Sequence, residues 1–118
     1  MQGIDELTDA ALSGDGLRLR SVAQDWLRDT VHFGEVPAPT STDPERLAVA
    51  AGLVEMFAER ANQTAPEWTR HVMAAPRPLF LLREAKVMKR LRAFCEEHSP
   101  LPLRRRRIYA PPDFLTFA

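Results

Sequence analysis

Apolar residues recur at helical spacing along most of this chain. An acidic first turn and an apolar face over residues 5–13 are followed by a glycine-containing break, in which Asp15 is placed to cap the next helix. A second apolar face runs from Leu17 to Leu27. The pattern predicts an acidic αα-hairpin over residues 5–30.

A proline-containing stretch, residues 34–42, has no apolar periodicity and is predicted to be a stiff linker. Thr42 and Glu45 then have the spacing of a capping box, ahead of an alanine-rich apolar face that continues to about Ala61. We interpret this segment as the central helix of the fold. On its outer side, Glu55 and Glu59 are interpreted as an ordinary solvated pair.

Two further helices are predicted before residue 98. The first is short and begins at Thr64. The second covers about 83–97, with its inward positions predicted to be Val87, Leu91, Phe94 and Cys95. Between them, residues 79–82 form an apolar run that is compatible with a strand-like segment or with the start of the last helix.

The last twenty residues have a different character. Four prolines interrupt them, four consecutive arginines lie at 104–107, and aromatic residues follow. The predicted fold class is therefore all-α, a compact bundle of about five helices with an extended, proline-punctuated C-terminal arm. Residues 1–98 would form the helical domain, with helices over 43–98, and residues 99–118 the arm.

Composition narrows the class of protein. The chain has 118 residues, 45% hydrophobic and 27% charged, which is typical of one soluble globular domain. No apolar run is long enough to span a membrane, and the N-terminus is acidic where a signal peptide would be basic. With one cysteine, Cys95, these features predict a cytoplasmic protein.

Charge is unevenly distributed although the formal net charge is zero. Residues 1–43 hold eight acids and three arginines, whereas residues 76–118 hold ten bases and four acids. The basic end is predicted either to fold back onto the acidic hairpin or to meet an acidic partner.

Catalytic chemistry has little support in the sequence. Cys95 and His98 are one helical turn apart, but a zinc site needs further ligands that no spacing provides. Cys95 also falls on an apolar face, where burial makes a thiol unreactive. We therefore expect no enzyme activity, no catalytic residues, no metal, no cofactor and no small-molecule substrate.

The C-terminal arm is the candidate binding segment. If it does not pack on its own body, its arginines and aromatic rings can contact a protein partner or a second copy of the chain. The predicted partner-binding residues are Arg104, Arg105, Arg106, Arg107, Tyr109, Phe114 and Phe117. As the alternative, the arginines and the last helix contact nucleic acid, with Tyr109 stacking on a base and phosphates held by Lys86, Lys89, Arg90 and Arg92.

In layout alone, a helical body with a charged and then aromatic tail resembles the small antitoxins of bacterial toxin–antitoxin pairs. That resemblance implies an accessory or regulatory protein that acts by association through a terminal arm. It assigns no role to any particular residue.

Overall fold

The structure is a computed structural model that describes residues 3–117. Its helices are α1 (Ile4–Leu12), α2 (Gly16–Asp29), α3 (Pro44–Arg60), α4 (Lys89–His98) and α5 (Leu101–Arg104), and its two short strands are β1 (Leu79–Phe80) and β2 (Ile108–Tyr109). Short 3₁₀ helices lie at Phe33–Glu35, Glu67–His71 and Arg83–Lys86. The prediction of a mostly helical, compact fold is confirmed. Within residues 3–117 no helix combines the length and the apolar character needed to cross a membrane.

Helix α3 is the centre of the core. Every residue from Ala48 to Val54 is buried, so neighbours cover the helix on all sides. Alanine and glycine at these positions allow the other elements to approach closely. The predicted capping box is absent, because Asp43 is the residue before the helix and Pro44 occupies its first turn.

The predicted hairpin forms as α1 packed against α2. Asp15 caps α2 by accepting a hydrogen bond from the backbone N–H of Arg18 at 3.1 Å, and Gly14 turns the chain with a φ of +78°. Trp26 is buried against Phe33 and Phe57. Leu17 was predicted to face inward and does not, since it is 84% exposed.

The second half of the chain is less helical than predicted. Residues 67–71 form a 3₁₀ helix in place of the predicted α-helix. The predicted last helix is divided into the 3₁₀ helix Arg83–Lys86 and α4, with extended backbone at Met88 between them. This break rotates the apolar positions away from the core, so Val87 is 82% exposed and Phe94 is also exposed, while Cys95 is buried as predicted.

The expected extended arm is not confirmed. Residues 101–104 form α5, and β2 pairs in parallel with β1, aligning Ile108 with Leu79. Leu103, Ile108 and Ala110 are fully buried. Helix α5 lies so close to α3 that a Cβ atom at Gly52 would be 2.8 Å from a methyl carbon of Leu103. Leu103, Ile108 and Ala110 thus belong to the core cluster.

Replacing Ile108 with alanine is expected to lower the free energy of unfolding by about 2–5 kcal/mol, because it leaves a cavity in this core. Val87→Ala removes a comparable apolar side chain from an exposed position and should change stability by no more than about 0.5 kcal/mol. Urea denaturation of both variants measures the difference. Equal effects of the two substitutions would contradict the observed packing.

Candidate functional site

Two of the four consecutive arginines converge on one carboxylate of α3. Arg106 donates from Nη1 to Oε1 of Glu55 and from Nη2 to Oε2 at 2.9 Å, and Arg105 donates from Nη2 to Oε1 at 2.9 Å. Arg106 is only 5% exposed, whereas more than half of the Arg105 side chain is accessible. A bidentate pair of this kind fixes position as well as charge.

The other two arginines also contact this chain. Arg104 donates to the carbonyl of Glu97 at 2.6 Å, and Arg107 donates to the carbonyl of Pro76 at 3.1 Å. Arg107 has a φ of +64°, a conformation that redirects the backbone into β2. Because Arg105 and Arg106 both pair with Glu55 in α3, their carboxylate partner does not belong to the acidic hairpin over residues 5–30.

Glu55 was interpreted from the sequence as solvated, and the structure corrects that. Its side chain is only 12% exposed. Burial is the largest single influence and would raise the pKa of Glu55, but hydrogen bonds from Arg106, Thr69 and Arg105, together with the charge of Arg106, outweigh it and the pKa is lowered. The carboxylate is therefore held ionised between two guanidinium groups.

The three aromatic candidates all contact the body of the protein. Phe114 is buried, and its carbonyl accepts a hydrogen bond from Arg60 at 2.7 Å. Tyr109 is half-buried with its ring centre 5.3 Å from that of Phe80. Phe117 is half-buried, and the guanidinium of Arg20 lies 4.8 Å from its ring centre. All three residues thus contact other parts of this chain.

A surface cleft of about 680 Å³ lies where the α1–α2 turn meets β1 and the 3₁₀ helix Arg83–Lys86. We call it the basic cleft. Its charged lining consists of four cations and one carboxylate: Arg77, Arg83, Lys86, Arg92 and Glu45. The rest of the lining comes from α1, the α1–α2 turn and the segment around β1: Ala11, Leu12, Gly14, Pro78, Leu79, Phe80 and Leu81. The carboxylate, Glu45, is paired with Arg77 at 2.5 Å.

Arg92 is held in position within the basic cleft. Its Nε and Nη2 donate to the carbonyls of Ala85 and Lys86 at 3.3 and 2.8 Å, and its guanidinium lies 5.2 Å from the ring centre of Phe80. Such a cation loses little freedom on binding a ligand, since its orientation is already set. Of the predicted phosphate-contacting residues, Lys86 and Arg92 therefore line one cleft.

The other two, Lys89 and Arg90, lie exposed in the first turn of α4. The start of a helix disfavours positive charge, and α4 has no acidic residue in its first turn. Exposed apolar side chains of Val87 and Met88 precede these lysine and arginine residues. The positive charges of Lys89 and Arg90 beside the basic cleft are thus not explained by stabilisation of α4.

Cys95 is buried in α4. Burial, with a smaller contribution from the charge of Glu96, raises the pKa of its thiol, so the reactive thiolate is disfavoured. The imidazole of His98 lies against the ring of Phe94 and 3.7 Å from Glu97. No group of three metal-binding side chains occurs among the residues that the structure describes.

No protein-family model, curated protein or solved structure matches this chain.

Sequence reasoning missed Glu55 and most of the wall of the basic cleft. The one available signal was the position of Glu55 between Val54 and Met56 in a helix whose apolar residues surround it. The cleft gave no such signal, because its walls come from three segments that are distant in sequence.

Proposed function

We propose that this protein is a small, non-catalytic accessory or regulatory protein that binds an acidic segment of a protein partner in the basic cleft. The observation that carries the proposal is the composition of this cleft: its described lining holds four cations and one carboxylate, Glu45, which is paired with Arg77, next to the exposed apolar side chain of Leu12. A cytoplasmic location and the absence of catalysis remain predictions from the sequence.

The cleft replaces the C-terminal arm as the binding surface. The aromatic side chains that the arm would offer a partner pack on the body, and Arg106 is buried. Arg83 and Lys86, in contrast, are exposed and line the cleft. A binding surface requires side chains that are accessible before the partner arrives, and the basic cleft supplies them.

Charge complementarity identifies the chemistry of the occupant. Arg83, Lys86 and Arg92 attract carboxylates, and two hydrogen bonds to backbone carbonyls fix the position of the Arg92 guanidinium. Leu12 and Phe80 offer apolar contacts in the same cleft. An acidic segment that carries a large apolar side chain satisfies both features.

Nucleic acid is the second candidate, favoured by the exposed Lys89 and Arg90 beside the cleft. Its expected stacking residue, Tyr109, already packs against Phe80 and is half-buried. Without that ring, the basic surface offers charge but no platform for bases. A protein segment therefore fits the surface better.

The test is fluorescence anisotropy with a labelled peptide in which aspartate and glutamate flank phenylalanine and leucine. We expect saturable binding that Arg83→Glu/Lys86→Glu weakens by about ten-fold or more, equivalent to about 1.4 kcal/mol. Arg18→Glu/Arg28→Glu is the matched control, since both arginines are exposed, outside this cleft, and the change in net charge is identical.

Equal weakening by the two double variants would show only general charge attraction and would contradict the proposal. Tighter binding of a single-stranded oligonucleotide of equal charge would favour the nucleic-acid alternative. The solution mass of the protein without peptide shows whether a second copy occupies the cleft instead. If the protein is a dimer and Arg83→Glu/Lys86→Glu dissociates it, the occupant of the cleft is the acidic surface of a second copy of this chain and not a different protein.

A further inference from the structure

A second cleft, separate from the basic cleft, is lined in part by Glu55 and its two arginine partners, Arg105 and Arg106. It has a volume of about 360 Å³ and is lined by Arg70, Arg105, Arg106, Glu55, Val72 and Ala74. We call it the arginine cleft. Three guanidinium groups and one carboxylate meet here, so the lining has an excess of two positive charges.

The hydrogen bonds leave donors unused in this cleft. Arg106 is nearly fully buried and both of its terminal nitrogens donate twice, to Glu55, Pro102 and Thr69, yet its Nε has no partner. Buried polar atoms are paired in most structures, so the unpaired Nε of this cleft-lining residue is an exception. Among the described residues, Arg106 thus keeps one donor without an acceptor beside the cleft.

Accessible donors complete the arrangement. Arg105 contributes one bond to Glu55 through Nη2, and more than half of its side chain is exposed. Arg70 lines the same cleft and is also exposed. Each guanidinium is a rigid fork that matches two oxygens of an oxyanion. Glu55 remains neutralised by Arg106, so it does not cancel the attraction of the other two arginines.

We propose that the arginine cleft binds a phosphate group, held by Arg70 and Arg105 with Arg106 at its inner wall. Phosphate provides more acceptor oxygens and more charge than a carboxylate, and therefore suits an excess of two positive charges and several unpaired N–H donors. The group can belong to inorganic phosphate or to a phosphorylated side chain. This site is independent of the peptide binding proposed for the basic cleft.

The test is a titration of the ¹⁵N-labelled full chain with inorganic phosphate and, separately, with O-phosphoserine at constant ionic strength. We expect saturable shifts of the Arg106 Nε–H and of the amides of Val72 and Ala74. Arg70→Ala should weaken binding by about ten-fold or more. Arg18→Ala removes an exposed arginine of α2 outside the cleft and should leave binding unchanged.

Tighter binding of O-phosphoserine would assign the site to a phosphorylated side chain, and equal or tighter binding of inorganic phosphate would assign it to the free ion. Shifts that do not saturate, or equal weakening by Arg70→Ala and Arg18→Ala, would overturn the proposal. Because Arg70 is exposed, its loss should leave the fold intact, which the unshifted remainder of the spectrum checks.

Discussion

Arg106→Ala is expected to lower the free energy of unfolding by about 3–5 kcal/mol. The substitution removes the buried partner of Glu55 and leaves that carboxylate, which is 12% exposed, with the largely exposed Arg105 as its remaining cation. It also removes the donors to the carbonyls of Pro102 and Thr69. A domain of this size has only about 5–15 kcal/mol of stability, so the loss is severe.

The neighbouring arginines are matched controls within the same run. Arg104→Ala should change stability by no more than about 0.5 kcal/mol, because the side chain is exposed and donates only to one carbonyl. Arg105→Ala should cost less than about 1 kcal/mol, as expected for a largely exposed ion pair. Urea denaturation, read by circular dichroism, ranks the three variants.

A double variant separates the buried charge from simple loss of packing. Glu55→Met/Arg106→Met removes both charges while keeping apolar volume, and should recover most of the stability lost in Arg106→Ala. Two results would contradict this explanation: Arg106→Ala lowering the free energy of unfolding no more than Arg104→Ala, or the double variant being as unstable as Arg106→Ala. Either would show that the Glu55–Arg106 ion pair does not stabilise the segment that follows α4.

The first half of the fold could be predicted from local pattern. Helices α1, α2 and α3 are each marked by apolar periodicity and bounded by glycine, proline or a capping residue such as Asp15. Leu17 is the exception, because an apolar residue in the first turn of a helix can satisfy the period and still lie beyond the edge of the core.

The second half depends on contacts between distant residues. The sequence around Val87 and Phe94 has helical spacing, but extended backbone at Met88 changes which face α4 turns to the core. Strands of two residues, such as β1 and β2, are too short to show an alternating pattern of polar and apolar residues. They form because the chain after α5 returns to lie beside β1. Short-range pattern therefore cannot place this region.

The arginine run shows the same limit for the candidate site. Its four members are identical in sequence, and their burial is decided by the turn of α5 and the positive φ at Arg107. The partner of Arg106 lies 51 residues earlier in the chain. Composition revealed the excess of positive charge but not which arginine is structural.

Truncation after Arg107 is expected to unfold the protein. It removes β2 and with it the hydrogen bond that the N–H of Leu81 donates to the carbonyl of Tyr109. It also removes Ile108, Ala110, Phe114 and Leu115, which are all buried in one cluster with α3. The lost burial corresponds to several large core deletions at once, each worth about 2–5 kcal/mol, which exceeds the stability of a typical domain.

The most direct test of this account compares the full chain with the chain that ends at Arg107, by circular dichroism and solution mass. We predict a helical full-length protein and a truncated chain that loses its helical signal and cooperative melting. A truncated chain that stays helical and melts cooperatively, while losing self-association seen in the full chain, would contradict it. That outcome would make residues 108–118 a binding arm.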